Sequence, residues 1–444
     1  MDHFDYRPVA APGGPHELHV EGVAIAAIAD RFGTPTYVYS AATLREHYDR
    51  LVAAFRPLSP LVCYSIKSSG NLAILRLLAE RGAGMDVVSG GELHRAIAAG
   101  VAASRCVYAG VGKTDAEIVA AIDAGIGLLN IESEAEFEVV ADLAARRGRT
   151  VRAALRVNPD VDPKTHRHTT TGKKETKFGV DLDRARAFFR RYGRDEWCRL
   201  EGIHLHIGSP IYSPQPYVES VTKTLRLVDD LAADGFTVRT LDLGGGFGAD
   251  YETGQTPPLS EYAAALVPLL EPRVRKNGLA IILEPGRTIV ANAGVLVTRV
   301  LYRKDGGEKS FVICDAGMNT LLRPSHYEAF HFLWPARVDA ARVPTRRGRD
   351  PGVAGLRPVD VVGPICETGD FLALDRPLPE TSRGDLLAVF TAGAYGMSMA
   401  SRYNATPLPA EVLVDGGEAR LVRRRETHDD LVAHELEPET SPRW

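Results

Sequence analysis

The stretch Leu61-Val62-Cys63-Tyr64-Ser65-Ile66-Lys67-Ser68-Ser69-Gly70-Asn71, followed by the helix-like Leu72–Arg81, sets the reading of the fold. An apolar run of strand length meets polar and glycine punctuation, then an amphipathic helix, and this is one β-α unit. The unit recurs. Further strand-like runs lie at Gly84–Val88, Arg105–Ala109, Gly127–Ile131, Val151–Val157, Gly202–His206, Thr240–Leu243 and Ala280–Glu284. Helical stretches between them fall at Gly91–Ala99, Asp115–Ala124, Ser133–Arg147, Leu182–Tyr192, Pro216–Ala233 and Ser260–Lys276. Eight strands alternating with helices predict an α/β fold, a (β/α)8 TIM-type barrel, in preference to the open doubly wound sheet that the same periodicity allows.

Past Ala291 the texture changes. Val295–Tyr302, Ser310–Asp315, Val359–Val362, Asp385–Phe390, Ala410–Val414 and Glu418–Val422 are short strand-like runs between Gly, Pro and Asp punctuation. They predict a C-terminal, mostly antiparallel β-domain. Near the start, His16–Val20 and Thr36–Tyr39 flank a helix-like Val23–Phe32 and have the pattern to add a strand to it. The expected division is a barrel over 36–295 and a β-domain over 296–444, with residues 1–35 contributing to the latter. The polar tail from Glu435 reads as frayed.

A chain of 444 residues is long enough for two cores. With 45% hydrophobic and 25% charged residues it has the balance of a soluble globular protein, and a net charge of -4 gives no bulk reason to expect nucleic acid or an anionic membrane as partner. The basic run Arg346-Arg347-Gly348-Arg349 reads as the decoration of a solvated loop. Five scattered cysteines, Cys63, Cys106, Cys198, Cys314 and Cys366, form no CxxC pair, so neither a disulfide framework nor a metal site is expected. No signal-peptide pattern opens the chain, and no apolar run nears the roughly 18 residues of a membrane span. A cytoplasmic location is expected.

Barrel enzymes carry their chemistry at the C-terminal ends of the strands. Here five of the eight ends are polar or glycine-rich: Lys67 after the first, Asp86–Gly91 at the second, His204–Ser209 at the sixth, Gly244–Gly248 at the seventh and Glu284–Arg287 at the eighth. Glycines after a seventh strand, with Arg287 after the eighth, lie where barrels commonly hold a phosphate. A triple glycine by itself is equally a tight turn. Lys67 on its own reads as a snorkelling surface lysine. In a barrel mouth it becomes an amine able to attack a carbonyl. Glu284, ending an apolar run, is placed to meet a protonated nitrogen. Phosphate cradle, amine and carboxylate are the parts of a pyridoxal-phosphate site.

At these residues the chain resembles the diaminopimelate decarboxylases, a family of fold-type III pyridoxal-phosphate decarboxylases with an alanine racemase-like barrel. The motifs are YSIKSSGN from Tyr64, DVVSGGEL from Asp86, HIGS from His206, LDLGGGFG from Leu241 and EPGR from Glu284. They continue as DAGMN from Asp315, RPSHY from Arg323, CETGD from Cys366 and GAYGMSM from Gly393, so that the likeness runs from about Thr34 to Val432. The resemblance implies that Lys67 holds pyridoxal 5'-phosphate as a Schiff base, that His206 stacks on its ring and that Glu284 pairs with its ring nitrogen. It implies phosphate-side roles for Ser209, Gly245, Gly246, Gly286, Arg287 and Tyr395, with Asp86 near the lysine. Arg287, Arg323, Tyr327, Glu367 and Tyr395 match substrate contacts. Cys366 matches a proton donor entering from the other subunit of a head-to-tail homodimer; without the resemblance, it reads equally as a small core hydrophobe. Thr169–Gly179 resembles the family's loop after the fifth strand.

The implied reaction is decarboxylation of meso-2,6-diaminopimelate to L-lysine. Such a substrate has an amino-acid group at each end. Arg287 and Arg323 suit its carboxylates and Glu367 its ammonium. The alternative within the class is a decarboxylase for ornithine, arginine, D-lysine or carboxynorspermidine, whose simple diamine precursors present no distal carboxylate to Arg323. A non-catalytic relative would lack the lysine, the cysteine or the phosphate ligands, all of which are present. A racemase would need a base on each face of the substrate carbon. Departures from the family pattern are small: Ser68-Ser69-Gly70 after the lysine, Pro210 after HIGS, and Thr368 after Cys366-Glu367.

Overall fold

The computed structural model describes residues 2–9, 14–162 and 177–436. Residues 169–176 of the expected loop after the fifth strand, and the tail from residue 437, lie outside the described residues. The chain forms two compact units, one of residues 45–249 and 254–289, the other of residues 1–44, 250–253 and 290–444.

In the first unit the eight parallel strands are Leu61–Ser65, Gly84–Val87, Cys106–Tyr108, Leu128–Ile131, Val151–Asn158, Cys198–Leu205, Thr240–Asp242 and Ala280–Leu283. They pair in chain order, and the eighth closes on the first through Ile282↔Leu61 and Leu283↔Val62. This is the expected closed barrel, and each strand falls within or overlaps its expected run, the sixth starting four residues earlier than expected, at Cys198 rather than Gly202. Strands buried on both faces read as continuous apolar runs, which is why they stood out. Cys63, Val107, Leu128, Ala154 and Ile282 meet as a buried cluster, so the barrel is filled rather than hollow.

The helices start where the strand ends turn polar. Asn71, Ser89 and Ser133 each accept a backbone N–H at the start of the next helix, and Thr114 forms a reciprocal capping box with Glu117. The Ser68-Ser69-Gly70-Asn71 departure therefore has a structural reading. Ser68 is buried and donates to Ser65 O at 2.7 Å, while Tyr64 OH donates to Ser69 O at 3.1 Å. A helix over Ala41–Ala54 was not expected from the sequence.

The second unit is built on a mixed sheet. Its strands run in the order Phe371–Leu378, Arg357–Val362, Ser310–Cys314, Gly294–Asp305, Thr36–Ser40, Ala410–Asp415 and Glu418–Arg423. Most pairs are antiparallel. Two are parallel: Ser310–Cys314 with Arg357–Val362, and Thr36–Ser40 with Ala410–Asp415. Thr36–Ser40 and Gly294 do not belong with the barrel, as limits of 36 and 295 would have them. Thr36–Ser40 is a fully buried central strand pairing with Gly294–Asp305, and Tyr39 OH donates to Glu411 at 2.8 Å. The limits of the compact units are 44/45 and 289/290 instead. Pro15–Val20 is the middle strand of a separate small sheet, pairing antiparallel with Phe4–Pro8 on one side and Arg337–Asp339 on the other.

The basic run corrects one expectation. Arg346 and Arg349 are exposed, but Arg347 turns inward, its guanidinium 4.2 Å from the Phe390 ring centroid and bonded to Phe4 O. Its backbone N–H also donates to Thr253 Oγ1 at 3.0 Å. This arginine ties segments together rather than merely facing water.

Candidate active site

The barrel unit brings together Lys67, Asp86, His206, Ser209, Gly245, Gly246, Glu284, Gly286 and Arg287 at its strand ends. Ser65 closes the first strand, and a 3-10 turn over Ile66–Ser68 presents Lys67. Parallel pairing sets Ser65 beside Asp86. The Lys67 ammonium forms an ion pair with Asp86, to which Ser65 Oγ also donates. Lys67 keeps 33% of its side chain exposed while Asp86 is fully buried. Burial, with Glu284 nearby, pushes the Asp86 carboxyl up, and Lys67 pulls it only part of the way back. Its second oxygen, Oδ1, has no hydrogen-bond partner among the described residues. A buried ion pair of this kind adds little stability, so its presence at a strand end points to chemistry.

Glu284 is 3% exposed, with Oε2 at 3.4 Å from His204 Nε2. That approach is not an aligned hydrogen bond. Burial would raise the Glu284 carboxyl, yet His204, then Lys67 and His206, bring it down to about 2. His206 is half-buried, and desolvation by its surroundings, then the Arg156 charge, pushes its pKa down to about 3. Gly245 N–H donates to His206 Nδ1 at 3.3 Å, so the neutral ring carries its proton on Nε2.

The turn after the seventh strand admits no side chains. A Cβ on Gly245 would lie 2.2 Å from Glu284 O; Gly246, at φ +105°, would place one 2.4 Å from Gly208 O. An aromatic cluster holds this turn. Tyr217 stacks on Phe247 at 5.2 Å and donates its OH to Gly245 O at 2.8 Å. Arg287 Nε donates to Ser209 Oγ at 3.2 Å, gathering two candidate phosphate groups from the sixth and eighth strand ends.

The other unit holds Arg323, Tyr327, Cys366, Glu367 and Tyr395. Arg323 is only 6% exposed. Its guanidinium lies 5.1 Å from the Tyr251 ring centroid and 5.8 Å from that of Tyr327, and its Nε donates to His331 Nε2 at 3.3 Å. Since His331 Nε2 accepts, its Nδ1 carries the proton and donates to Phe390 O at 3.0 Å. This is a fixed cation in an aromatic frame. Tyr395 holds a left-handed φ of +55°, a strained backbone state for a tyrosine.

Cys366 is the exposed one of five free cysteines; the other four are buried. Asn404 Nδ2 donates to its Sγ at 3.1 Å, and the Glu367 carboxylate beside Tyr403 raises the Tyr403 hydroxyl's pKa. Asp370 builds the loop instead of joining in any chemistry. Its buried carboxylate accepts from Met318 N–H and Ile365 N–H, each at 2.6 Å. Asp315 of the DAGMN motif is likewise structural, accepting from the Thr298 hydroxyl at 2.6 Å and Arg299 N–H at 2.9 Å.

The sequence reading overlooked several buried polar groups of the barrel. Arg156 and Glu132 form an ion pair of 2.9 Å, both nearly without exposure. His204, Asp242 and Asn130 surround Glu284 from inside. The signal was a polar residue inside an apolar strand run, as in Leu241-Asp242-Leu243 and Leu128-Leu129-Asn130-Ile131.

A closed parallel barrel with a lysine–aspartate pair, a buried glutamate and a bare glycine turn at its strand ends is the class to which a family model described as "Pyridoxal-dependent decarboxylase, pyridoxal binding domain" corresponds, and that model matches residues 41–291. The diaminopimelate decarboxylase of Aquifex aeolicus is 45% identical over 421 residues, covering 95% of this chain and 96% of that protein. Among solved structures, the Helicobacter pylori diaminopimelate decarboxylase complexed with L-lysine has a TM-score of 0.85 at 38% identity, covering 92% of this chain and 98% of its own. The diaminopimelate decarboxylase "from m. jannaschii in co-complex with L-lysine" has a TM-score of 0.89 at 35% identity, covering 98% of both chains. The chain belongs to the diaminopimelate decarboxylase family.

The residues present fit the cofactor of that family. Bare backbone N–H groups and Arg287 suit a phosphate, a neutral imidazole face suits an aromatic ring, and an ionised buried carboxylate suits a protonated ring nitrogen. Among the described residues, no helix is long and apolar enough to cross a membrane.

One pH effect follows from His206. An unfolded histidine titrates near 6.5, whereas His206 titrates at about 3 in the fold. Between those values the unfolded chain holds a proton that the folded one lacks, so His206 makes stability fall as pH drops from 6.5 towards 3. Urea unfolding across this window is expected to show a shallower acid loss in His206→Gln than in the wild type; an unchanged slope would exclude this role.

Proposed function

We propose that the protein decarboxylates meso-2,6-diaminopimelate to L-lysine and CO2 with pyridoxal 5'-phosphate as cofactor. The observation that carries the reading is the half-exposed Lys67 paired with buried Asp86, beside an ionised Glu284, in a chain 45% identical to a named diaminopimelate decarboxylase. When bound, pyridoxal phosphate supplies the conjugated pyridinium that takes up the electron pair left as CO2 departs.

The chain's own residues do the rest. Lys67 would hold the cofactor through its amine, with Asp86 fixing the ammonium and accepting its charge. Glu284 would hold the proton on the ring nitrogen, and His206 would cover a ring face without adding charge. Ser209, Gly245, Gly246, Gly286, Arg287 and Tyr395 would hold the phosphate. Arg287, Arg323, Tyr327, Glu367 and Tyr395 would grip the substrate, and the Cys366 thiol would return a proton to its carbon, supplied by the partner of a head-to-tail homodimer. A reducing, cytoplasmic setting suits five free thiols.

The test is CO2 release and L-lysine formation from meso-diaminopimelate, beside ornithine and arginine. Turnover confined to ornithine or arginine would overturn the substrate assignment. Arg323 gives a finer check. Lysine keeps the charge but not the planar fork that Tyr251, Tyr327 and His331 hold, so Arg323→Lys is expected to raise KM about tenfold with a smaller change in kcat. A fall in kcat at constant KM would contradict a substrate-gripping role.

A further inference from the structure

Behind Glu284 the barrel interior holds a second charged layer that the proposed reaction does not use. His204 of the sixth strand and Asp242 of the seventh are 1% and 0% exposed, and one side-chain nitrogen or oxygen of each lies with a Glu284 carboxylate oxygen in a group whose atoms are all within 4.8 Å of one another. Asp242 Oδ1 accepts Gly244 N–H at 2.9 Å. Asn130 Nδ2 lies 3.5 Å from both Asp242 Oδ2 and Glu284 Oε1, bridging the two carboxyl groups at the limit of hydrogen bonding. Neither His204 nitrogen has an aligned hydrogen bond among the described residues.

Counting charge decides what this layer does. Of the buried carboxyl groups in the barrel interior, Glu132 is balanced by Arg156, which leaves Asp86, Asp242 and Glu284 to be counted here. Lys67 balances Asp86, which leaves two carboxyl groups and one histidine. Lys67 and His206 also act on Glu284, Asp86 acts on Asp242, Arg156 acts on His206, and the buried thiol of Cys63 feels both carboxyl groups of the layer. In a low-dielectric interior two adjacent carboxylates do not both stay ionised against a single cation, so one keeps its proton.

Resting on the pyridoxal-phosphate reading of the site, we propose that His204 and Asp242 are positioning residues: Asp242 stays protonated and turns its proton towards Glu284, while His204 supplies the countercharge that keeps Glu284 ionised for the cofactor's ring nitrogen. Burial and the Glu284 charge hold the Asp242 carboxyl up, and the His204 contact is the chief influence drawing Glu284 down. The layer thus sorts one negative charge onto the carboxylate that faces the site and hides the other as a neutral acid.

Substitution separates the two halves of this assignment. Asparagine reproduces a protonated aspartic acid in shape and keeps an N–H donor, so Asp242→Asn is expected to bind pyridoxal phosphate within about twofold of the wild type. Asp242→Leu removes the donor and is expected to bind about tenfold more weakly or worse. In His204→Gln the countercharge is gone, Glu284 takes up a proton, the ring nitrogen loses its own and withdraws less charge from the lysine's imine nitrogen, and the pH midpoint of the bound cofactor's visible band is expected to rise by about one unit or more. The proton itself is read by infrared spectroscopy, with or without cofactor: a carboxylic-acid carbonyl band at neutral pH, present in the wild type and lost in Asp242→Asn. That measurement stands even where His204→Gln does not fold. No such band, equal damage in Asp242→Asn and Asp242→Leu, or a stoichiometric divalent metal in the purified protein would overturn the proposal. A wild type with no visible cofactor band would instead overturn the pyridoxal-phosphate reading and leave the infrared result to judge the proton on its own.

Discussion

Lys67→Ala is expected to lower turnover by about 10^4-fold or more and to abolish the visible band of bound pyridoxal phosphate. No other lysine is positioned to substitute for it among the described residues of the strand ends: Lys113 is buried against Glu136, Gly110 O and Asn130 O. The loss should register in the cofactor-free protein as well. Asp86 is fully buried, and removing Lys67 takes away its cation. Its carboxyl, already pushed up by burial and Glu284, then rises further. A group whose folded pKa lies above its unfolded value contributes stability at low pH and loses it as pH rises through the folded pKa. Unfolding by urea should therefore show Lys67→Ala losing stability relative to the wild type as pH rises above the ordinary aspartate range. A variant that keeps the visible band, or that tracks the wild type at every pH, would mean that Lys67 neither carries the cofactor nor balances Asp86.

The barrel was legible because parallel strands buried on both faces are nearly continuous apolar runs of strand length, punctuated where helices begin. The cofactor-side candidates were legible for a related reason. Lys67, Asp86, His206 and Glu284 stand at the ends of those runs, where a change of polarity is visible. His204, Asp242, Asn130 and Arg156 were not, because they sit within strands, and alternation cannot tell an inward polar residue from an outward one when both faces are buried. Their meaning arises only when the sheet closes and four strands point them at one another. In the second unit, Phe371–Leu378 and Leu333–Pro335 carry prolines that argue against strand formation, yet both pair antiparallel. Thr36–Ser40 could be read as a strand, but its central place between Gly294–Asp305 and Ala410–Asp415 depends on partners more than 250 positions away in sequence. Within CETGD the sequence signalled a special loop but not which acid did what. Asp370 secures the loop through two backbone N–H groups, leaving Cys366 and Glu367 exposed at its surface.

That exposed loop sets the second large expected effect. Mixed after unfolding and refolding together, Lys67→Ala and Cys366→Ala protomers, each inactive alone, are expected to recover about a quarter of wild-type activity. The figure follows from symmetry. In a head-to-tail dimer with shared sites, random reassortment makes half of the dimers mixed, and each mixed dimer collects both lesions in one site while leaving the other intact. Cys366 has the properties the role requires. It alone of the cysteines is exposed, its sulfur is held by Asn404, and the Asp370 knot fixes the loop that presents it. Burial raises the thiols of Cys63, Cys106, Cys198 and Cys314 and makes them poor proton donors to a substrate. Were Cys366 to serve the barrel of its own chain, every site in every mixed dimer would carry one lesion, and mixing would restore nothing. Activity after mixing, measured beside the dimer fraction by size-exclusion chromatography, therefore separates the two arrangements: recovery places the proton donor across an interface, and absence of recovery in a sample that is fully dimeric removes it from there.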